Sequence, residues 1–131
     1  MWGEYPFCFV DLVDDELLIG ISLEAYTPFI PLEPDDSGIP SASFTYNVRN
    51  LTNEPLDVTI VGSLLNSVGF TGFDEFGALR KEGLGKNINE YRQEAGLSGL
   101  YLWSMKHSKE DILHGSLALA TTNLNVTYKR H

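Results

Sequence analysis

An all-β fold, an antiparallel β-sandwich of about seven strands with one long irregular loop, is what this sequence predicts. Three observations predict it. Apolar and polar residues alternate with period two over several runs of strand length, Pro, Gly, Asn and Asp punctuate the gaps, and no run carries the period of a convincing long helix. At 131 residues the chain has the size of one domain and can bury a core without staples.

The elements follow in order. Residues 5–13 form an aromatic and β-branched run that stops at the turn signal Asp14-Asp15. Residues 17–26 place Leu17, Ile19, Ile21, Leu23 and Ala25 on one face and Gly20, Ser22, Glu24 and Tyr26 on the other, so the two runs make a hairpin. Pro28, Pro31, Pro34 and Pro40 then crowd the next stretch. Proline lacks an amide donor and fixes φ, which predicts neither a central strand nor a helix there. Yet Tyr26, Phe29, Ile30, Leu32 and Ile39 give it much apolar surface. A stiff crossover is expected, pressed onto the domain's own core or onto a partner, the former being the commoner fate of apolar residues.

A second hairpin is expected from residues 42–48 and 56–65, with Asn50-Leu-Thr-Asn-Glu-Pro55 as its turn. It places Phe44, Tyr46, Val58 and Ile60 on an inward face. Residues 66–97 are punctuated by glycine and read as the long irregular loop, in which 87–95 form a short helix with Ile88, Tyr91 and Ala95 on one face. Residues 100–107 return to strand, 108–114 make a turn capped by Ser108, and 116–122 and 126–129 are the last two strands.

Charge narrows the function classes. Glu4, Asp11, Asp14, Asp15, Glu16, Glu24, Glu33, Asp35 and Asp36 precede the first Lys or Arg, and the formal net charge of −9 arises there. Nucleic acids and anionic membranes require a basic footprint that this chain lacks. No apolar run reaches the length of a membrane span. No basic segment followed by an apolar one marks a signal peptide, which favours a cytoplasmic location.

Chemical motifs are sparse. His107, His114 and His131 lack metal-ligand spacing, and the lone Cys8 completes neither a zinc site nor a disulfide, so no metal is expected. No phosphate loop or dinucleotide fingerprint calls for a cofactor, and no nucleophile elbow is present. Asp35-Asp36 with Ser37-Gly38 reads as an Asx-type turn before it reads as an acid pair, because neighbours on one backbone do not flank a substrate from opposite sides. Glu24 is the most interesting lone carboxylate, its bland alternative being a solvated strand residue.

Four segments, Val10-Asp-Leu-Val-Asp14, Ser22-Leu-Glu-Ala-Tyr-Thr-Pro-Phe-Ile-Pro-Leu32, Asp35-Asp-Ser37 with Pro40, and Phe44-Thr-Tyr-Asn-Val-Arg-Asn50, resemble the amino-terminal domain of glycoside hydrolase family 116. Gly115-Ser-Leu-Ala-Leu-Ala-Thr121 resembles a later segment of the same domain. This is the family of the non-lysosomal glucosylceramidase, or bile-acid β-glucosidase. The resemblance implies an amino-terminal β-sandwich packed against a separate (α/α)₆ catalytic domain that supplies both carboxylates for retaining hydrolysis of β-glucosides or glucosylceramide. It implies that residues 1–131 are one β-sandwich domain within a larger amino-terminal domain, with no catalytic residue and no activity of its own, and that residues 66–97, where no family segment is matched, are a variable loop insertion. Glu24, Tyr26, Phe29, Ile30, Pro31, Asp35 and Asp36 are then the candidates for bordering the site or the interdomain surface. A free-standing carbohydrate-binding module, stacking sugars on Tyr26, Phe29, Trp103 or Trp2, is the alternative, and a ligand-free immunoglobulin-like spacer a third.

Overall fold

The computed structural model describes residues 1–130 and contains seven strands in two antiparallel sheets, as the sequence predicts. The chain divides into two compact units, Met1–Thr59 and the residues from Ile60 onward.

The first unit is a four-stranded sheet of order β1-β2-β3-β4, made by Trp2–Glu4, Phe7–Leu12, Ile19–Tyr26 and Ser43–Asn50. The expected first run is two strands, because the chain turns at Tyr5 and Pro6. Asp14 closes the next turn, its side chain accepting the Glu16 N–H at 2.9 Å and its carbonyl the Leu17 N–H at 3.2 Å. That is the Asx chemistry for which Asp is favoured in turns. β3 is paired along both edges, with Leu23 opposite Val10 and Tyr46 and with Glu24 opposite Phe9 and Thr45. Side chains alternate across a strand, so one face carries Val10, Leu12, Ile21, Leu23, Tyr46 and Val48 while the other carries Phe9, Asp11, Ser22, Glu24, Thr45 and Asn47.

Two expectations for this unit are corrected. Residues 27–42 are no crossover; they join two neighbouring antiparallel strands, with Tyr26 opposite Ser43. They also contain one helical turn, α1 (Pro34–Ser37), which Pro34 permits because the first helical position needs no amide donor. The hairpin of 42–48 with 56–65 does not form, and 56–65 hold no strand. The Asn50 side chain closes its own turn, donating to the Glu54 carbonyl at 2.7 Å and accepting the Thr52 N–H at 2.8 Å. That turn is built from side chains rather than from a returning ladder, so β4 remains an edge strand. Phe44 and Tyr46 do share a face with Ala25 and Leu23, but they are 62% and 44% exposed, and Val58 and Ile60 are exposed too. The alternation is right and the burial is not.

The second unit is a three-stranded sheet of β5 (Asn87–Glu94), β6 (Leu97–Ser104) and β7 (Ser116–Thr121), with β6 central. The helix expected over 87–95 is strand β5. Ala95 and Gly96 both have positive φ, 51° and 81°, the condition for a two-residue hairpin turn whose twist matches the flanking strands. Neither face of β5 is uniformly apolar, with Asn87, Asn89, Tyr91 and Gln93 alternating with Ile88, Glu90, Arg92 and Glu94. Its period of two is therefore invisible as hydropathy. The long loop is correspondingly shorter than 66–97, and within residues 66–86 a single bridge joins Phe73 to Leu79. Residues 108–114 are turns, as expected, with no helical turn for Ser108 to cap; Asp111 accepts the Leu113 N–H at 2.8 Å. Nor is 126–129 a strand: Tyr128 stacks on Tyr91 at 4.3 Å, and Asn89 donates to the Arg130 carbonyl at 2.6 Å.

Leu102, 1% exposed, is the most buried apolar side chain of the second unit. Truncating it to alanine should cost about 2–5 kcal/mol. Phe44→Ala should cost less than about 1 kcal/mol, because a mostly exposed ring leaves no cavity. Denaturant melts of the two variants check the contrast, and equal losses would contradict the burial assignment.

Candidate functional site

The polar face of the first sheet gathers most of the chemistry in its unit. Trp2 on β1 stands opposite Phe9 and stacks on it, with ring centroids 4.0 Å apart and planes 16° from parallel. Phe9 leads to Phe7 at 6.2 Å and Phe7 to Tyr26 at 5.4 Å, so one ladder of four rings runs along the face. Offset or tilted aromatic pairs at such separations each add about 0.5–1.5 kcal/mol beyond their buried area. Beside the ladder, Trp2, Phe9, Asp11, Ser22, Glu24 and Asn47 line a shallow pocket of about 120 Å³. Among the described residues neither Asp11 nor Glu24 has a cation partner, the ion pairs being Arg92–Glu90 and His107–Asp111.

The sequence-predicted residues separate into two groups. Glu24 and Tyr26 project from the same face of β3, Glu24 into the pocket and Tyr26 onto the ladder. Phe29, Ile30, Pro31, Asp35 and Asp36 belong to the 27–42 connection and do not line the pocket. Phe29 packs edge-on against Tyr5 at 4.9 Å. Ser37 Oγ accepts the Ile30 N–H and donates to the Ile30 carbonyl, both at 2.9 Å, so one side chain ties the connection across its base. Asp35 and Asp36 occupy the first turn of α1, where the unsatisfied N–H groups favour acidic residues. Phe9, Asp11, Ser22 and Asn47 are the pocket residues that sequence reasoning missed. The signal was the alternation of Phe7, Phe9 and Asp11, hidden in what reads as one continuous apolar run.

The second unit holds a different cluster. His107 Nδ1 lies 2.8 Å from Asp111 Oδ2, and its Nε2 lies 2.6 Å from the Gly83 carbonyl. Both partners are acceptors, so filling both contacts at once requires the doubly protonated imidazolium ring. The Asp111 carboxylate, and then the Gly83 carbonyl, raise the His107 pKa above its ordinary 6.5. The Leu113 N–H, and then His107, hold Asp111 below its ordinary 3.8. Gly69, at φ 87°, meets Gly83 so closely that a Cβ on either would collide with the carbonyl of the other. With both ring nitrogens committed, this is a clamp on the loop rather than a base. Among the described residues no three His, Cys, Asp or Glu side chains are grouped to hold a metal ion, and no helix is long and apolar enough to cross a membrane.

The profile described as beta-glucosidase 2, glycosyl-hydrolase family 116 N-term, matches residues 1–131. No curated protein matches the chain.

The clamp predicts a pH dependence whose sign is fixed. A raised His107 pKa contributes stability that is full below about 6.5 and is lost as pH rises through the raised value. A lowered Asp111 pKa contributes above about 3.8 and is lost as pH falls through the lowered value. Thermal melts at about pH 5 and about pH 8 should therefore show the chain losing stability at the higher pH, and His107→Gln losing less between the two. Identical pH slopes for both proteins would contradict the doubly donating imidazolium.

Proposed function

The chain belongs to the amino-terminal-domain family of glycosyl-hydrolase family 116, and on that premise we propose that it is the non-catalytic sheet domain of a β-glucosidase. It docks through residues 27–42 against a separate catalytic domain of the parent protein. The family match along the whole sequence carries this reading. The geometry of the carboxylates supports it. Asp11 and Glu24 stand on the same sheet face, at diagonal positions of the β2–β3 register, whereas glycoside hydrolysis needs two carboxyl groups on opposite sides of the scissile bond. Both catalytic groups then come from the partner domain, and glucosylceramide is the β-glucoside we favour as the parent's substrate.

The 27–42 connection has the properties of a docking surface. Leu32 is 97% exposed, and Phe29, Ile30 and Ile39 are each roughly half exposed. A group of exposed apolar side chains on one connection marks an interaction site more often than scattered single ones do. The backbone beneath them is already fixed by Pro28, Pro31, Pro34 and Pro40 and by the Ser37–Ile30 hydrogen bonds, so little conformational entropy is lost on binding. Glu24 and Tyr26 lie at the end of β3 from which this connection starts.

Two outcomes are expected. The purified chain should not hydrolyse an aryl β-glucoside; turnover that disappears in Glu24→Gln or Asp11→Asn would overturn the non-catalytic reading. Leu32→Asp and Phe29→Ala should leave the unfolding midpoint of the chain nearly unchanged, Leu32→Asp within about 0.5 kcal/mol. The same substitutions in the parent enzyme should lower its activity. A large stability loss in the chain alone would mean that these side chains serve its own core.

A further inference from the structure

Three features of the pocket on the first sheet bear on what it can hold. Trp2 is pinned from one side by Phe9 and is 60% exposed, so a fixed indole ring is offered to solvent. Around it stand two carboxylates, Asp11 and Glu24, one carboxamide, Asn47, and one hydroxyl, Ser22. The concavity is about 120 Å³ and open to solvent, a seat for the edge of one small ring.

We propose that this pocket, formed by Trp2, Phe9, Asp11, Ser22, Glu24 and Asn47, is a binding subsite for a single pyranose ring of the β-glucoside class. The proposal rests on membership of a glycosidase family for the identity of the sugar, and on the pocket itself for the site. A pyranose has an apolar face of axial C–H groups and a rim of hydroxyls. The C–H face lies on the indole. Vicinal hydroxyls donate to the Glu24 or Asp11 carboxylate, and the Asn47 amide and Ser22 hydroxyl give and accept in return. Ser22 and Glu24 are half-buried and Asp11 and Asn47 exposed, so the rim orients the ring that the indole holds.

The acidic character of the unit raises a second class of occupant, a basic protein segment. The sugar is favoured because each of its hydroxyls can both donate to a carboxylate and accept from the Asn47 amide or the Ser22 hydroxyl, whereas a lysine or arginine head only donates.

The test is a titration of the chain with methyl β-glucopyranoside, followed by amide and indole N–H shifts in heteronuclear NMR. Saturable shifts are expected at the Trp2 indole and along β2 and β3, with Trp103, in the second unit, unmoved. Trp2→Ala should weaken binding at least about tenfold, Trp2→Tyr should retain most of it, and Glu24→Gln should weaken it several-fold. Trp2 is 60% exposed, so its removal leaves no cavity and the fold in place. Absence of shifts at tens of millimolar glucoside would overturn the proposal, as would binding indifferent to Trp2→Ala. Salt-sensitive shifts of the same residues with a lysine-rich peptide, and none with the glucoside, would assign the face to a basic partner instead. Leu32 lies outside the pocket, so failure of the docking reading would appear in the Leu32→Asp comparison and leave this titration unaffected.

Discussion

The first unit depends on β3 being hydrogen-bonded along both edges. Eight residues of that strand fix the register of β2 on one side and β4 on the other. A slip of one residue would carry every side chain to the opposite face. The register therefore decides that Phe9, Glu24 and Thr45 form one row across the sheet and that Val10, Leu23 and Tyr46 form the next, on the other face. β1 adds a short edge whose Trp2 caps the polar row. The pocket is a by-product of this pairing: no loop builds it, and its side chains are held by rigid strands. A site on strands is placed more precisely than one on loops.

The second unit is organised by polar groups around a small apolar centre. Asn66 donates to the Ile88 and Trp103 carbonyls, both at 3.1 Å, and Asn87 donates to the Asn66 carbonyl at 2.9 Å. Together with the His107 clamp and Ser104 donating to the Gly85 carbonyl at 2.7 Å, they tie the irregular 66–86 segment to the sheet. A loop so long can be ordered only if its backbone groups find partners, since few of its side chains are buried. Among the described residues one buried side-chain polar group has no partner, the Trp103 indole N–H.

What the sequence made legible was the part that physics writes into alternation and turn chemistry. Ile19, Ile21, Leu23 and Ala25 alternate against Gly20, Ser22, Glu24 and Tyr26, and β3 is where that pattern puts it. The Asp14 and Asn50 turns are closed by the side chains their positions favour. The misses have different causes. β5 has polar residues on both faces, so its period carries no hydropathy contrast, and its hairpin turns on Ala95-Gly96 without the Asn-Gly or Asp-Gly signature. Residues 56–65 alternate as well as any strand, yet alternation does not say whether a partner edge is reached. The candidate site was half legible. Glu24 and Tyr26 stood out as polar-face residues of an evident strand. Phe9 and Asn47 acquire meaning only when the ladder register sets them beside Glu24.

The proposed docking requires residues 27–42 to be a preformed surface that another domain covers. Amide hydrogen exchange of the chain alone and of the same residues within the parent enzyme measures this directly. The account predicts slow exchange at the Ile30 and Gly38 amides in both, since Ser37 and Pro34 already bind them, and new protection on the exposed amides around Leu32 only in the parent. Unchanged exchange around Leu32 in an active parent enzyme would contradict it.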